Sequence, residues 1–127
     1  DEDAVVNVWS GQPDALAMKL TDGKIASLME QFDLPAFYCA VAADTLVVAD
    51  ATVLGKPADA ADARRHLRLL SGRTHRVLTA LQVVVCRGDR VHYLKAVEET
   101  AVRFARLDET MINWYINTGE PFGKAGS

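Results

Sequence analysis

The sequence predicts an α/β fold in which a mixed sheet, with both parallel and antiparallel strand pairs, is flanked by helices. Two observations predict it. Apolar residues recur at helical spacing in some segments and form continuous strand-like runs in others. These segments follow one another in the order helix, strand, helix, strand, strand, helix. Because 127 residues suffice for one compact domain and not for two, we expect a single domain over residues 1–127.

Composition and charge exclude several classes of protein. Hydrophobic residues make up 50% of the chain and charged residues 24%, as in a soluble globular domain rather than a disordered one. A formal net charge of -3 argues against a strongly basic nucleic-acid binder. No apolar run approaches the roughly 20 residues that a membrane span needs. The acidic start at Asp1 and Glu2 is unlike the basic start of a signal peptide. Cys39 and Cys86 lie in apolar runs and are interpreted as buried thiols. We therefore expect a cytoplasmic protein without nucleic-acid or membrane partners.

The first predicted helix begins at Pro13, a residue favoured in a first turn, and ends near residues 32–34, before Pro35. One stripe of this helix is apolar apart from one lysine, and its members are Leu16, Leu20, Lys24 and Leu28. A lysine in such a stripe commonly lays its stem on the apolar surface and extends its ammonium into water. The helix pattern alone favours this interpretation of Lys24.

The next predicted element is a strand over residues 37–48, an apolar run rich in β-forming residues. A continuous run of this kind is typical of a strand buried on both faces of a sheet. Asp44 and Thr45 interrupt the run. Residues 50–52 indicate a turn, after which residues 53–54 continue the strand briefly.

A second helix is predicted after the loop at residues 55–57, with Asp59 or Asp62 as its N-cap and Gly72 just past its end. Its apolar face comprises Ala63, His66, Leu67 and Leu70, and its polar face Arg64, Arg65 and Arg68. Since acidic residues accompany these arginines, the pattern indicates a solvated helix face rather than a nucleic-acid site.

A long antiparallel hairpin and a third helix complete the predicted order. Residues 74–87 and 91–104 form two strand patterns, and Gly88 and Asp89 supply the turn between them. Asp108 is then the predicted N-cap of a helix that Gly119 closes.

Asp44 is the strongest candidate for chemistry, because a carboxylate inside an apolar run is costly to bury unless it is paired. Two interpretations stay open. Asp44 is either a general base or metal ligand at the end of a strand, or a strand-end aspartate whose oxygens accept hydrogen bonds from backbone N–H groups.

Three further residues offer charge or hydrogen bonds to a ligand. Lys56, between a glycine and a proline, carries a point charge suited to phosphate, although a lysine in a simple turn is the commoner case. Arg73 and His75 follow a helix C-cap and fit either a ligand edge or the polar start of a strand. The histidines lack the spacing of a zinc site.

Four segments, in this order and spacing, resemble the motifs of the Maf family. They are Ala43-Asp44-Thr45, Leu54-Gly55-Lys56-Pro57, residues 70–79 and residues 119–126. Asp1-Glu2 also resembles the acidic pair of the family, and Lys24 falls where the family has a helix lysine. Members of this family resemble the inosine triphosphate pyrophosphatases in fold and hydrolyse nucleoside triphosphates to monophosphate and pyrophosphate.

The sequence also departs from the family pattern. The Ser-x-Ser-Pro-Arg-Arg loop that holds phosphates in the family has no counterpart here, nor do the strands that follow the Ala-Gly motif. Thr21 and Ile25 stand where the family has alanines around the helix lysine. We therefore expect a Maf-like domain that lacks the N-terminal phosphate-loop segment and the C-terminal strands. We also expect these 127 residues alone to hydrolyse nucleotides poorly.

The resemblance implies a metal-assisted hydrolysis. Lys24 and Lys56 would bind the phosphates of the substrate as point charges. A divalent cation, Mg²⁺ or Mn²⁺, would be held by Glu2 and Asp44. Asp44 would also be the catalytic residue that orients or deprotonates the attacking water.

The resemblance also implies a substrate. In the family, the residue after the aspartate varies with the preferred nucleotide. Thr45, together with Arg73 and His75, resembles the branch that acts on dTTP and UTP. The branch that acts on 7-methyl-GTP has glutamine at the position of Thr45. The expected function is therefore a pyrophosphatase for dTTP, UTP or related non-standard nucleotides, with Thr45, Arg73 and His75 binding the substrate. The alternative is a non-catalytic interaction protein that affects cell division, since the family is named for inhibition of septum formation. A homodimer stays open beside a monomer.

Overall fold

The computed structural model describes residues 12–127. Over this range the chain forms α1 (Pro13–Gln31), β1 (Phe37–Ala49), β2 (Thr52–Leu54), α2 (Ala60–Leu70), β3 (Thr74–Arg87), β4 (Arg90–Arg103) and α3 (Glu109–Asn117). Two helices begin as predicted: the Asp59 side chain accepts a hydrogen bond from the backbone N–H of Asp62, and Asp108 does the same for Met111, each at 2.8 Å. None of these helices is long and apolar enough to cross a membrane.

The strands form one sheet in the order β2-β1-β3-β4, and every neighbouring pair is antiparallel. The prediction of a mixed sheet was therefore wrong. Residues 53–54 do not continue β1. The chain reverses at Asp50, which has a positive φ of 53°, and β2 pairs back on β1. This reversal inverts the direction in which the chain enters α2, so β3 runs antiparallel to β1 instead of parallel to it.

One face of the sheet is covered by α1, which packs on the side chains of even-numbered residues in β1 and β3. Two separate apolar clusters form there. The first contains Leu16, Ala17, Leu20, Leu46, Val48, Leu78 and Ala80. The second contains Ile25, Ala40, Ala42 and Val84. The gap between these clusters is where the polar residues of the candidate site lie.

Residues 12–127 cover the opposite face of the sheet only at one end. There Val47, Ala49, Leu54 and Leu70 form a third cluster, against which Phe104 and Ala125 pack. Further along the same face, Phe37 and Val41 are 72% and 61% exposed. The expectation that the first strand is buried on both faces was therefore wrong for most of its length. The thiol of Cys39 is also exposed, contrary to expectation, while that of Cys86 is buried, and both are free.

Candidate active site

Asp44 lies in the middle of β1, opposite Ala80 of β3, on the face that α1 covers. Its Oδ1 accepts a hydrogen bond of 2.8 Å from the backbone N–H of Thr45. Its Oδ2 is buried and accepts no hydrogen bond from any residue in the described part of the chain. A buried acceptor of this kind is costly unless water, a cation or a ligand satisfies it. Both interpretations from the sequence placed Asp44 at a strand end, which was wrong, because five further residues of β1 follow it. The hydrogen bond from Thr45 to Oδ1 is of the backbone kind that the second interpretation expected. The role of Asp44 as a base or metal ligand stays a prediction.

Lys24 of α1 supplies the cation nearest to this carboxylate among residues 12–127. Its Nζ lies 3.3 Å from Asp44 Oδ2 and donates a hydrogen bond of 2.9 Å to the backbone oxygen of Ala43. The Lys24 side chain is 39% exposed and the Asp44 side chain 13% exposed. Lys24 therefore does more than extend into water, because its ammonium is held against β1 with one side open to solvent.

Lys56 lies in the exposed loop after β2, and the structure places it in no ion pair with a described residue. This loop is braced by the end of the chain, because the N–H of Gly126 donates a hydrogen bond of 3.0 Å to the carbonyl of Gly55. Gly126 also lies tight against Val47: a Cβ at that position would be 2.9 Å from the Val47 side chain. Two of the sequence motifs thus meet in space, and the Lys56 side chain is left exposed beside them.

Thr45 lies on the other face of the sheet, because consecutive side chains of a strand point to opposite sides. Its hydroxyl is 3.1 Å from the hydroxyl of Thr79, the residue directly opposite on β3. The structure therefore does not bring the Thr45 side chain to the pair formed by Lys24 and Asp44.

Arg73 and His75 occupy different environments at the start of β3. Arg73 is exposed, and its guanidinium lies 3.7 Å from a carboxylate oxygen of Asp50. His75 is buried edge-on against the ring of Phe104, with ring centres 5.0 Å apart. Burial lowers the pKa of His75, and its Nδ1 has no hydrogen-bond partner among the described residues. Neither residue contacts the Lys24–Asp44 pair.

The expected metal ligands are Glu2 and Asp44, and Glu2 lies outside the described residues. Within residues 12–127 no group of three or more His, Cys, Asp or Glu side chains could hold a metal ion. Asp44 does fit the chemistry, since its Oδ2 is a hard, anionic oxygen that accepts no hydrogen bond from residues 12–127, the donor type that Mg²⁺ and Mn²⁺ prefer. This chain thus contributes one suitable oxygen from its described part.

Sequence reasoning missed two residues beside this pair. Thr21 and Gln82 are 0% and 2% exposed, and the Thr21 hydroxyl lies 3.3 Å from Oε1 of Gln82. Two signals could have found them. Thr21 falls on the buried stripe of α1, and Gln82 is the one amide side chain within the apolar alternation of β3.

Comparisons with known proteins show which family the chain belongs to. The family model of Maf-like proteins matches residues 1–127. A dTTP/UTP pyrophosphatase of Symbiobacterium thermophilum is 56% identical over 85 residues, which are 67% of this chain and 42% of the relative. A protein of the same name from Ralstonia nicotianae is 55% identical over 84 residues, which are 66% of this chain and 39% of the relative.

The matched part spans about two-fifths of the length of these relatives. A third protein with that name, from Anaeromyxobacter dehalogenans, is 54% identical over 68% of this chain and 45% of its own length. Since the family model covers all 127 residues, the chain belongs to the family of Maf-like proteins.

Proposed function

We propose that the protein containing this chain is a nucleoside triphosphate pyrophosphatase that hydrolyses dTTP, UTP or related non-standard nucleotides. The observation that carries the proposal is the buried Oδ2 of Asp44 beside the ammonium of Lys24. Relatives named dTTP/UTP pyrophosphatase support the choice of substrate. No observation favours the non-catalytic alternative.

Asp44 is the proposed base. Its Oδ2 is free to accept a hydrogen bond from water, while the backbone N–H of Thr45 holds Oδ1 in place. The oriented water attacks the α-phosphorus as its proton passes to the carboxylate. The bond from the α-phosphorus to the bridging oxygen breaks, and pyrophosphate leaves with that electron pair.

Lys24 and Lys56 are the proposed phosphate ligands. The ammonium of Lys24 is next to the proposed base, so it can stabilise charge that develops on the phosphate during attack. Lys56 extends from a loop braced by Gly126, and its exposed position suits the outer phosphates of a triphosphate.

A divalent cation, Mg²⁺ or Mn²⁺, completes the proposal, held by Asp44 and Glu2. When bound, it would neutralise charge on the phosphates and help to fix their orientation. The requirement follows from the charge of the substrate, since two lysines offset only part of the charge of a triphosphate.

Thr45, Arg73 and His75 are the proposed determinants of substrate choice. The hydroxyls of Thr45 and Thr79 lie on the sheet face opposite Asp44, so this part of the proposal requires the base or sugar to approach that face. His75 is buried, so it would act by shaping the start of β3 rather than by direct contact. A cytoplasmic location, a homodimer and the lack of nucleic-acid or membrane partners belong to the same proposal.

A nucleotide panel in ¹⁸O-labelled water tests the reaction on a full-length version of this protein. Hydrolysis of dTTP and UTP should give monophosphate and pyrophosphate, with ¹⁸O in the monophosphate only. Diphosphate and inorganic phosphate as products, or ¹⁸O in pyrophosphate, would show that attack is not at the α-phosphorus. Lack of hydrolysis of every nucleotide would refute the proposed function.

A further inference from the structure

A polar layer separates the two apolar clusters between α1 and the sheet. Thr21 and Lys24 contribute to it from the helix, and Asp44 and Gln82 from the strands. In the register of β1 and β3, Asp44 is opposite Ala80 and Gln82 is opposite Ala42, so the two polar residues are diagonal neighbours on one face. The first cluster ends at Ala80, and the second begins at Ala42 and Val84.

Thr21 links the helix to the central strands within this layer. Its hydroxyl lies 2.7 Å from the backbone oxygen of Met18, 3.3 Å from Sδ of Met18 and 3.3 Å from Oε1 of Gln82, and these three acceptors share its one hydrogen. Both Thr21 and Gln82 are buried, so water does not compete for this contact. Thr21 precedes Lys24 by three residues and so occupies the same side of α1, one turn earlier.

A buried polar pair contributes little to net stability, because two apolar side chains of similar shape commonly do as well. The pair does restrict the position of the helix along the sheet. Apolar contacts tolerate small shifts of a helix along a sheet, whereas a hydrogen bond in a dry interface holds two atoms at one distance. Leu20 and Ile25 supply such apolar contacts on either side of the polar layer, and the hydrogen bond from Thr21 adds the direction that those contacts lack.

We propose that Thr21 and Gln82 are positioning residues that hold the Lys24 ammonium over Asp44. The inference rests on the proposed function, because it assigns the pair a role in that reaction. The contact fixes the helix turn against β3, while Lys24 reaches from the same turn to β1. Neither Thr21 nor Gln82 touches the substrate in this account.

The chain offers a matched control in the same helix turn. Asp22 forms an ion pair of 3.0 Å with Lys95 of β4, and these side chains are 48% and 43% exposed. An exposed pair of this kind contributes little to positioning, since water screens it. Asp22→Asn should therefore leave turnover unchanged, although it removes a contact between the same turn and the sheet.

The test compares Thr21→Val/Gln82→Leu, Thr21→Ser and Asp22→Asn in the full-length protein. The double variant keeps the interface filled and removes the hydrogen bond. We expect its kcat to fall roughly 10- to 100-fold, as for a displacement of about 1 Å in an active site, while its Tm is unchanged or higher. Thr21→Ser, which keeps the hydroxyl, should retain kcat within about twofold of the parent.

Full kcat in the double variant would overturn the positioning role. An equal loss of kcat in Thr21→Ser would also overturn it, because that variant keeps the hydroxyl. An equal loss of kcat in Asp22→Asn would overturn it as well. If the double variant fails to fold, the isosteric Thr21→Val replaces it in the comparison with Thr21→Ser. Failure of the proposed function is distinguishable, because the parent protein itself would then release no pyrophosphate.

Discussion

The ammonium of Lys24 lies 3.3 Å from Oδ2 of Asp44, and this contact joins α1 to the strand it covers. The oxygen involved is buried, and the ammonium gives a hydrogen bond of 2.9 Å to the neighbouring carbonyl of Ala43. Cation and carboxylate are thus side by side, with the carboxylate still able to accept a hydrogen bond. Substitutions in this pair and in the residues around it have distinct expected effects.

Lys24→Met should impair both binding and turnover. The variant keeps a side chain of similar length and removes the charge, leaving Asp44 Oδ2 without a nearby cation among the described residues. We expect kcat/KM for dTTP to fall by roughly 10²-fold or more, as when an electrostatic donor is removed from an active site. Lys19→Met, an exposed position on the same helix, is the control. Unchanged kcat/KM in Lys24→Met would exclude Lys24 as a phosphate ligand.

Thr45→Gln should alter substrate choice rather than overall fold. The new side chain would break the hydroxyl contact with Thr79 and extend from the exposed face. We expect kcat/KM to shift away from dTTP and UTP across a nucleotide panel. Thr79→Val, which removes the same contact without adding length, separates the loss of the hydrogen bond from the added bulk. An identical ranking of nucleotides in Thr45→Gln would leave Thr45 with a structural role only.

Gly126→Ala should weaken the brace of the Lys56 loop. Gly126 has a φ of +76°, and a Cβ there would be 2.9 Å from the Val47 side chain. Gly123→Ala is a matched control, since Gly123 has a φ of +83° and a Cβ added to it would meet nothing within 4 Å. Backbone strain should lower the free energy of unfolding by about 1 kcal/mol in both variants, and so lower the Tm of each. The decrease in Tm should be larger in Gly126→Ala. Only Gly126→Ala should raise KM for the triphosphate; equal effects would show that the close approach to Val47 is unimportant.

His75 should make the protein less stable in mild acid. Burial lowers its pKa in the folded protein, so below the ordinary value of about 6.5 the unfolded chain binds more protons than the folded one. The contribution of neutral His75 to the free energy of unfolding is complete above the ordinary pKa and is lost as the pH falls through the pKa of the folded protein. We expect Tm to decline from pH 7 to pH 5, and His75→Leu to decline less steeply. His66 contributes in the same direction, because burial also lowers its pKa, so a remaining slope in His75→Leu is expected. Equal slopes in the two proteins would contradict this account.

Much of the fold could be predicted because its signals are local. The Asp59 and Asp108 caps, the hairpin turn at Gly88 and the bounds of β3 each depend on a few neighbouring residues. The antiparallel pairing of β1 with β2 and β3 was not predicted. A turn at residues 50–52 was expected, but not the left-handed conformation of Asp50, which sends β2 back along β1 and leaves β3 antiparallel to β1.

The candidate site could be predicted only in part. Asp44 and Lys24 were identified separately, one as a carboxylate in an apolar run and the other by resemblance, and the structure brings them together. Thr45 could not be assigned to the same pocket, because the strand alternation sends its side chain to the other face. The contact between Thr21 and Gln82 was not predicted, since it joins residues that are far apart in the chain and follows no local pattern.

Pyrophosphate release by Asp44→Asn in the full-length protein tests the central claim most directly. The substitution keeps the size of the side chain and removes the charge that activates water and attracts a metal ion. We predict a loss in kcat of roughly 10²- to 10⁴-fold, the usual cost of losing a general base, with Tm unchanged or higher, while Asp33→Asn at an exposed position keeps full activity. Turnover of Asp44→Asn equal to that of the parent protein would contradict the account, because Asp44 could then not be the base.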